Sequence, residues 1–210
     1  MTLLALEFSS ALRSVAIARG GVVLAVAEAT GGRATNAFGL IGQVLEAASI
    51  KREEVEALAI GLGPGSYTGI RAAIALAQGW QLARQIKLLA VSSADAIAVR
   101  AQAEKVFGLV NLIVDAQRGE FYVAQWQISA ERRSEISPLK IVPAAEIEMR
   151  QRAGEIVVGP AATNPVEVLF PGAAAVARLA AGRSDFISGE ALTPIYLRET
   201  SFVKSSPPRN

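Results

Sequence analysis

Two spacings of apolar residues alternate along this chain, one typical of strands and one of helices. Leu3–Phe8 is almost continuously apolar, as in a strand covered on both faces. Ser14–Arg19 and Val22–Ala29 are β-rich runs joined by Gly20-Gly21, a pair suited to a tight hairpin turn. From Asn36 to Ala48 the period lengthens. Phe38, Ile41, Leu45 and Ala48 recur three and four positions apart and predict one apolar face of a helix. A short acidic turn, Lys51–Glu56, leads to the apolar run Leu58-Ala59-Ile60, which stops at a cluster of glycines around Pro64. The pattern then predicts an alanine-rich helix over Ile70–Gln85 and a strand over Leu88–Val91. Ser92 or Ser93 caps a further helix reaching Ala103.

The second half opens on another apolar strand, Val106–Val114. The turn Asp115-Ala116-Gln117-Arg118-Gly119 returns it into a strand over Glu120–Ile128. The first strand likewise ends at an acid, Glu7, and turns back into Ser14–Arg19. A strand, an acid at its end, a turn and an antiparallel partner thus occur twice. This predicts an α/β protein of two related halves, residues 1–104 and 105–210, each with a meander feeding helices. The second half is less regular. It reads as a hairpin loop over 129–135, strands near Leu139–Val142 and Glu155–Val158, a helix over Ala173–Ala181, and an extended tail from Leu192 to Asn210.

Composition narrows the chemistry. With 51% hydrophobic and 19% charged residues, the 210-residue chain has the makings of a buried core. A net charge of +2, with no Lys/Arg run, neither requires nor excludes a nucleic-acid partner. There are no cysteines, which excludes disulfides and thiolate catalysis, and no histidines, which excludes a Ser-His-Asp triad and a histidine-bound zinc. An active site would have to use carboxylates, hydroxyls, lysine, arginine or oxygen-bound Mg²⁺. The N-terminus lacks a basic segment and its apolar run ends at Glu7, unlike a signal peptide. No stretch suits a membrane span, so the expected location is cytoplasmic, with no membrane partner.

The glycine cluster, Gly61-Leu62-Gly63-Pro64-Gly65-Ser66-Tyr67-Thr68-Gly69, lies between a strand and a helix. Such a corner gathers unpaired N–H groups at the positive end of a helix, so Gly63, Gly65, Ser66, Thr68 and Gly69 are candidate phosphate contacts. It is not a P-loop, because Ile70 stands where the lysine would be. Nor does it match a Rossmann fingerprint, since Gly69 comes one residue too late. A purely structural corner fits the same residues. Glu7 and Asp115 offer a parallel choice. They face each other across a cleft and hold Mg²⁺ through waters, or each accepts hydrogen bonds from its own turn. Ser9, Ser10, Ser66 and Thr68 have no base to activate them and read as turn and cap residues. The small residues Ala72, Ala73, Ala75, Ala77 and Gly79 permit close approach, either to the sheet or to a partner's helix.

These residues resemble a known family. Gly63-Pro64-Gly65-Ser66-Tyr67-Thr68-Gly69-Ile70-Arg71 is similar to the Gly-Pro-Gly-Ser-(Phe/Tyr)-Thr-Gly-(Leu/Val/Ile)-Arg signature of the TsaB (YeaZ) family, accessory subunits of bacterial tRNA threonylcarbamoyladenosine synthesis. Val114–Tyr122 is similar to that family's Asp-Ala-Arg-(Arg/Met)-Gly-Glu-(Val/Ile)-Tyr turn. Val91-Ser92-Ser93 resembles its Val-Ser-Ser/Thr, and Pro194-Ile195-Tyr196-Leu197-Arg198 its Pro-x-Tyr-Leu-Arg. The resemblance covers essentially the whole chain. It implies an actin-like ATPase (ASKHA) fold of two RNase-H-like halves with mixed sheets flanked by helices.

It further implies a non-catalytic subunit. A histidine-bearing homologue of TsaD type would transfer the threonylcarbamoyl group from its adenylate to the adenosine beside the tRNA anticodon, and an ATPase of TsaE type would dock on the pair. ATP and metal would reside in those partners, and tRNA would be met through the complex. The docking surface implied is the helix pair Asn36–Ala48 and Ile70–Gln85, with Phe38, Ile41, Leu45, Ile70, Ala73, Ile74 and Ala77 as its contacts. Homodimerisation of the lone chain stays open. Two departures stand out. Glu7-Phe8-Ser9-Ser10 replaces the family's Asp-Thr/Ser, and Gly32-Arg33-Ala34-Thr35-Asn36 lacks a histidine often found before the first helix. The competing reading is an actin-like small-molecule kinase or ATPase with a phosphate between Glu7, Asp115 and the glycine turn.

Overall fold

The continuous apolar runs become central strands and the alternating runs become edges. In the computed structural model, which describes residues 1–30, 36–161 and 167–197, β1 (Thr2–Glu7), β2 (Leu12–Arg19) and β3 (Val22–Thr30) form an antiparallel meander. β4 (Ala57–Gly61) and β5 (Lys87–Val91) extend it in parallel on the other side of β1, giving the order β3-β2-β1-β4-β5. Every residue of β1 and β4 is buried, whereas the edge strand β3 alternates and exposes Val22, Leu24 and Val26. Helices α1 (Ala37–Ala47) and α2 (Tyr67–Arg84) make the crossovers into β4 and β5.

After α3 (Ser93–Ala103) the topology repeats. β6 (Gly108–Gln117), β7 (Glu120–Ile128) and β8 (Arg133–Pro143) form a second meander, and α4 (Ala144–Arg152) leads to β9 (Ile156–Gly159) and β10 (Glu167–Val168). The order is β8-β7-β6-β9-β10, with the same antiparallel and parallel pairings as in the first sheet. The chain has the actin-like fold of two RNase-H-like halves.

One face of the first sheet, with Leu4, Leu6, Ile17, Leu58 and Ile60, is covered by α1 and α2. The opposite face, with Ala5, Ala16, Ala57, Ala59 and Leu89, is covered by Ala96 and Val99 of α3 and by α5 (Ala173–Ala180). Alanine on both sides of that contact brings the helices close to the strands. The other side of α3, with Ile97, Ala98 and Ala101, packs on Val110, Leu112 and Val114 of the second sheet, so this helix joins the two cores. Residues after α5 also return to the first sheet: the Ile187 N–H donates to the Leu88 carbonyl at 3.0 Å, and the Ile195 N–H to the Leu62 carbonyl at 2.8 Å.

Several elements depart from the pattern-based reading. α2 begins at Tyr67 rather than Ile70, because Ser66 caps it. β8 starts at Arg133, shortening the hairpin loop expected over 129–135. α4 and the two-residue β10 were not foreseen. Only Ile147 of α4 is buried, so no apolar period marks it. Its support is the ion pairs Glu146–Arg150 (2.6 Å) and Glu148–Arg152 (3.2 Å) at helical spacing. The Gly32–Thr35 departure and the tail from Arg198 onward lie outside the described residues.

Candidate functional site

Leu62–Ser66 form the corner between β4 and α2. Ser66 caps the helix, its Oγ accepting the Gly69 N–H at 3.3 Å. The Ser66 N–H donates to the Ser9 carbonyl at 2.6 Å. Gly63 is held twice by Ser93: its N–H donates to Ser93 Oγ at 3.0 Å, and its carbonyl accepts from the Ser93 N–H at 2.8 Å. At Gly65 (φ +144°) and Gly69 the backbone passes too close for a side chain. A Cβ would overlap the Ser9 carbonyl at the first and the Phe8 carbonyl and Arg13 guanidinium at the second.

Glu7 lies inside this corner, fully buried. Its Oε1 accepts the Ser9 N–H and its Oε2 accepts the Ser93 hydroxyl, both at 2.7 Å. Burial pushes the carboxyl above its ordinary range, opposed by the Ser9 and Ser93 hydrogen bonds and by the Arg13 charge. Arg13 donates from Nη2 to Ser66 Oγ at 3.1 Å. Desolvation draws its guanidinium down from the usual value, and Glu7 resists. Arg13 Nη1 is buried without a hydrogen-bond partner among the described residues. The Glu7–Ser93 pair is a serine held by a carboxylate, and both residues are 0% exposed.

An actin-like fold implies Mg·ATP, its phosphates against this turn and its cation near the acid on the first strand. The residues here do not fit that group. The Gly63, Ser66 and Gly69 N–H donors are taken internally, both Glu7 oxygens are engaged, and Arg13 lies against the turn. Asp115 is exposed on the β6–β7 turn, where Oδ1 accepts the Gln117 N–H and Oδ2 the Gln117 side-chain amide, each at 2.7 Å. Asp115 therefore binds its own turn, whereas Glu7 divides its oxygens between its own turn at Ser9 and Ser93 of α3, and Thr68 is exposed on the first turn of α2. Among the described residues, no cluster of three or more acids stands ready to hold a metal ion.

The docking contacts need correction. Ile41, Leu45, Ile70, Ala73, Ile74 and Ala77 are all buried in the first core, because the apolar stripe of each helix is spent on the sheet. Of the seven, only Phe38 is exposed, at 69%. The outward face of the helix pair is a different set. Phe38, Ala75, Leu76, Gly79, Trp80 and Ala83, together with the buried Ile41 and the cations Arg52 and Arg84, line an apolar groove of about 530 Å³. Leu82 is 90% exposed on the same helix. The heptad-like spacing that marked Ile41 and Leu45 reports burial; the outer set is visible only as apolar residues left over after the buried stripe is assigned.

The family model for TsaD, tRNA N6-adenosine threonylcarbamoyltransferase, matches residues 11–187. The TsaB biosynthesis protein of Escherichia coli K12 is 31% identical over 128 residues, 60% of this chain and 55% of that protein. The Bacillus subtilis 168 TsaB protein is 27% identical over 148 residues, covering 70% of this chain and 64% of its own length. The matched region thus spans less than two thirds of either relative. The solved structure of YeaZ from Pseudomonas aeruginosa superposes with a TM-score of 0.77 at 27% identity, over 93% of this chain and 99% of that one. The motifs, the doubled sheet topology and these matches agree: the chain belongs to the TsaD family of threonylcarbamoyltransferase-related proteins, within its TsaB (YeaZ) branch.

Proposed function

We propose that this chain is a non-catalytic subunit in the synthesis of threonylcarbamoyladenosine in tRNA. In this reading it docks on a histidine-bearing homologue of TsaD type, which carries out the transfer, and an ATPase of TsaE type binds the pair. The observation that carries the proposal is the pairing of a sealed phosphate corner with an open apolar groove. The corner engages its Gly63, Ser66 and Gly69 N–H groups internally and buries its acid, while the outer face of α1 and α2 leaves Phe38, Trp80 and Leu82 without cover sufficient to bury them. Small residues at Ala75, Gly79 and Ala83 give a partner's helix close access to the backbone of α2. With no homologue present, the same face would pair two copies of the chain.

Co-expression with the histidine-bearing homologue from the same genome, followed by size-exclusion chromatography, tests this. Gly79→Arg is the informative variant, because a Cβ at Gly79 meets nothing within 4 Å and the position opens into the groove. The expected result is co-elution of the wild-type pair and its loss in Gly79→Arg, with thermal unfolding of the lone variant no lower than wild type. Retained co-elution would sink the docking face. Calorimetric titration of the lone chain with Mg·ATP should show no binding; micromolar affinity would instead support the kinase or ATPase reading.

A further inference from the structure

Two of the sequence motifs meet on the surface beside the glycine corner, in an arrangement that neither the corner nor the groove uses. Tyr67 opens α2, Arg71 follows one turn later, and Tyr196 belongs to the segment that returns to the first sheet after α5. The Tyr67 and Tyr196 rings stack with centroids 5.6 Å apart and planes inclined by 23°. The Arg71 guanidinium lies 4.3 Å from the Tyr67 centroid and is hydrogen-bonded to the Tyr196 side chain, so it ties the two rings together. Tyr67 is 53% and Tyr196 38% exposed, so the stack stands open to solvent.

The stack is held from below. Ile195 packs against the first core and its N–H is bonded to the Leu62 carbonyl, while Ser66 fixes the start of α2. Rings placed this way lose little freedom when a ligand stacks on them. No ion pair joins Arg71 to a carboxylate among the described residues, so its charge is not neutralised by a nearby acid. Exposed tyrosines with a guanidinium over one ring suit a planar base on a phosphate backbone. The base takes the open ring face and the cation takes the phosphate. An apolar peptide would gain less, because the neighbours Thr68 and Arg71 are exposed and polar.

We propose that Tyr67, Arg71 and Tyr196 form a stacking ledge for an unpaired nucleobase of RNA, an inference that rests on the tRNA-modification reading. The test uses the full chain and a fluorescein-labelled anticodon stem–loop RNA, with the blunt duplex of the same stem as the control, read by anisotropy. Wild type should bind the stem–loop more tightly than the duplex. Tyr196→Ala should weaken the stem–loop about tenfold or more and leave the duplex unchanged, and Tyr196→Phe, which keeps the ring and loses only the hydroxyl bonded to Arg71, should keep most of the affinity. Equal affinity for loop and duplex, no RNA binding, or equal loss in both variants would overturn the ledge. So would displacement of the RNA by excess ATP, which would assign the ring to a free nucleotide, or loss of homologue pairing in Tyr196→Ala with RNA binding intact, which would assign it to a protein. Co-elution with the homologue is measured separately, so failure of the ledge leaves the docking result standing.

Discussion

The two sheets share one strand order but are covered differently. The first is sandwiched, with α1 and α2 on one face and α3 and α5 on the other. Among the described residues, the second borrows α3 for one face and has only the short, highly charged α4 on the other, where Ile147 is the single buried side chain of the helix. Their acids diverge in the same way. Glu7 is sealed at the end of β1, and Asp115 sits in the open at the equivalent place on β6. A repeated topology therefore fixes where a site would be, while the layers packed around it decide whether anything can reach it. In the first half those layers close the corner and leave α1 and α2 as the accessible surface.

The strongest way to break this contrast is to charge the covered face of α2. Ala73 is 0% exposed against the first sheet, and an unpaired carboxylate there should cost more than about 4 kcal/mol and unfold the protein. Ala75, two residues on, is exposed, and Ala75→Glu should change stability by no more than about 0.5 kcal/mol. Urea unfolding of the two variants measures the difference. A folded Ala73→Glu would show that the helix does not lie as described.

Gly61→Ala should have the next largest effect. A methyl at Gly61 would overlap Glu7 Oε2, and shifting the carboxylate would strain its bonds to Ser9 and Ser93. Overpacking of this kind costs about 1–3 kcal/mol. Glu7→Asp, whose shorter side chain withdraws from the overlap, should recover part of the loss in the double variant. A double variant no more stable than Gly61→Ala would place the strain elsewhere.

Much of this was legible in the residues. The unbroken run Leu3–Phe8 reads as a central strand because burial on both faces removes alternation, and the doubled strand–acid–turn pattern reads as a doubled topology. The glycine corner was legible as a corner, since its glycines stand where the first strand and Arg13 crowd the backbone. Its occupants were not. Nothing in the spacing shows that Ser93 and Arg13, brought in from α3 and β2, would satisfy the turn. The outward helix face failed for a related reason. Ile41 and Leu45 carry the periodic signal because they face the core, and the apolar residues of the outer face have no period of their own.

A subtler test exploits the buried acid. The folded-state pKa of Glu7 lies above the ordinary 4.5, so the folded protein holds that proton more tightly than the unfolded chain. Its contribution is therefore most favourable below pH 4.5 and declines as pH rises toward the folded-state value, where the carboxyl must ionise in the interior, faced by Ser9, Ser93 and Arg13. Glu7→Gln removes that dependence. The stability of wild type relative to the variant should fall with rising pH across this window, measured by urea unfolding at each pH. A difference that stays constant would mean that Glu7 ionises freely and is not sealed.

The smallest expected effect belongs to Asp115, and its smallness is what makes it decisive for the comparison. If the two acids shared an ion across a cleft, Mg²⁺ would bind the native state and not the unfolded chain, and the melting temperature would climb with its concentration. Both Asp115 oxygens are instead occupied by Gln117 on its own exposed turn. Asp115→Asn keeps an acceptor for the Gln117 N–H and should alter stability by no more than about 0.5 kcal/mol. Wild type and variant should melt alike with and without Mg²⁺. A Mg²⁺-dependent rise in wild type that vanishes in Asp115→Asn would bring the two halves together over a cation and undo the distinction between a sealed acid and an open one.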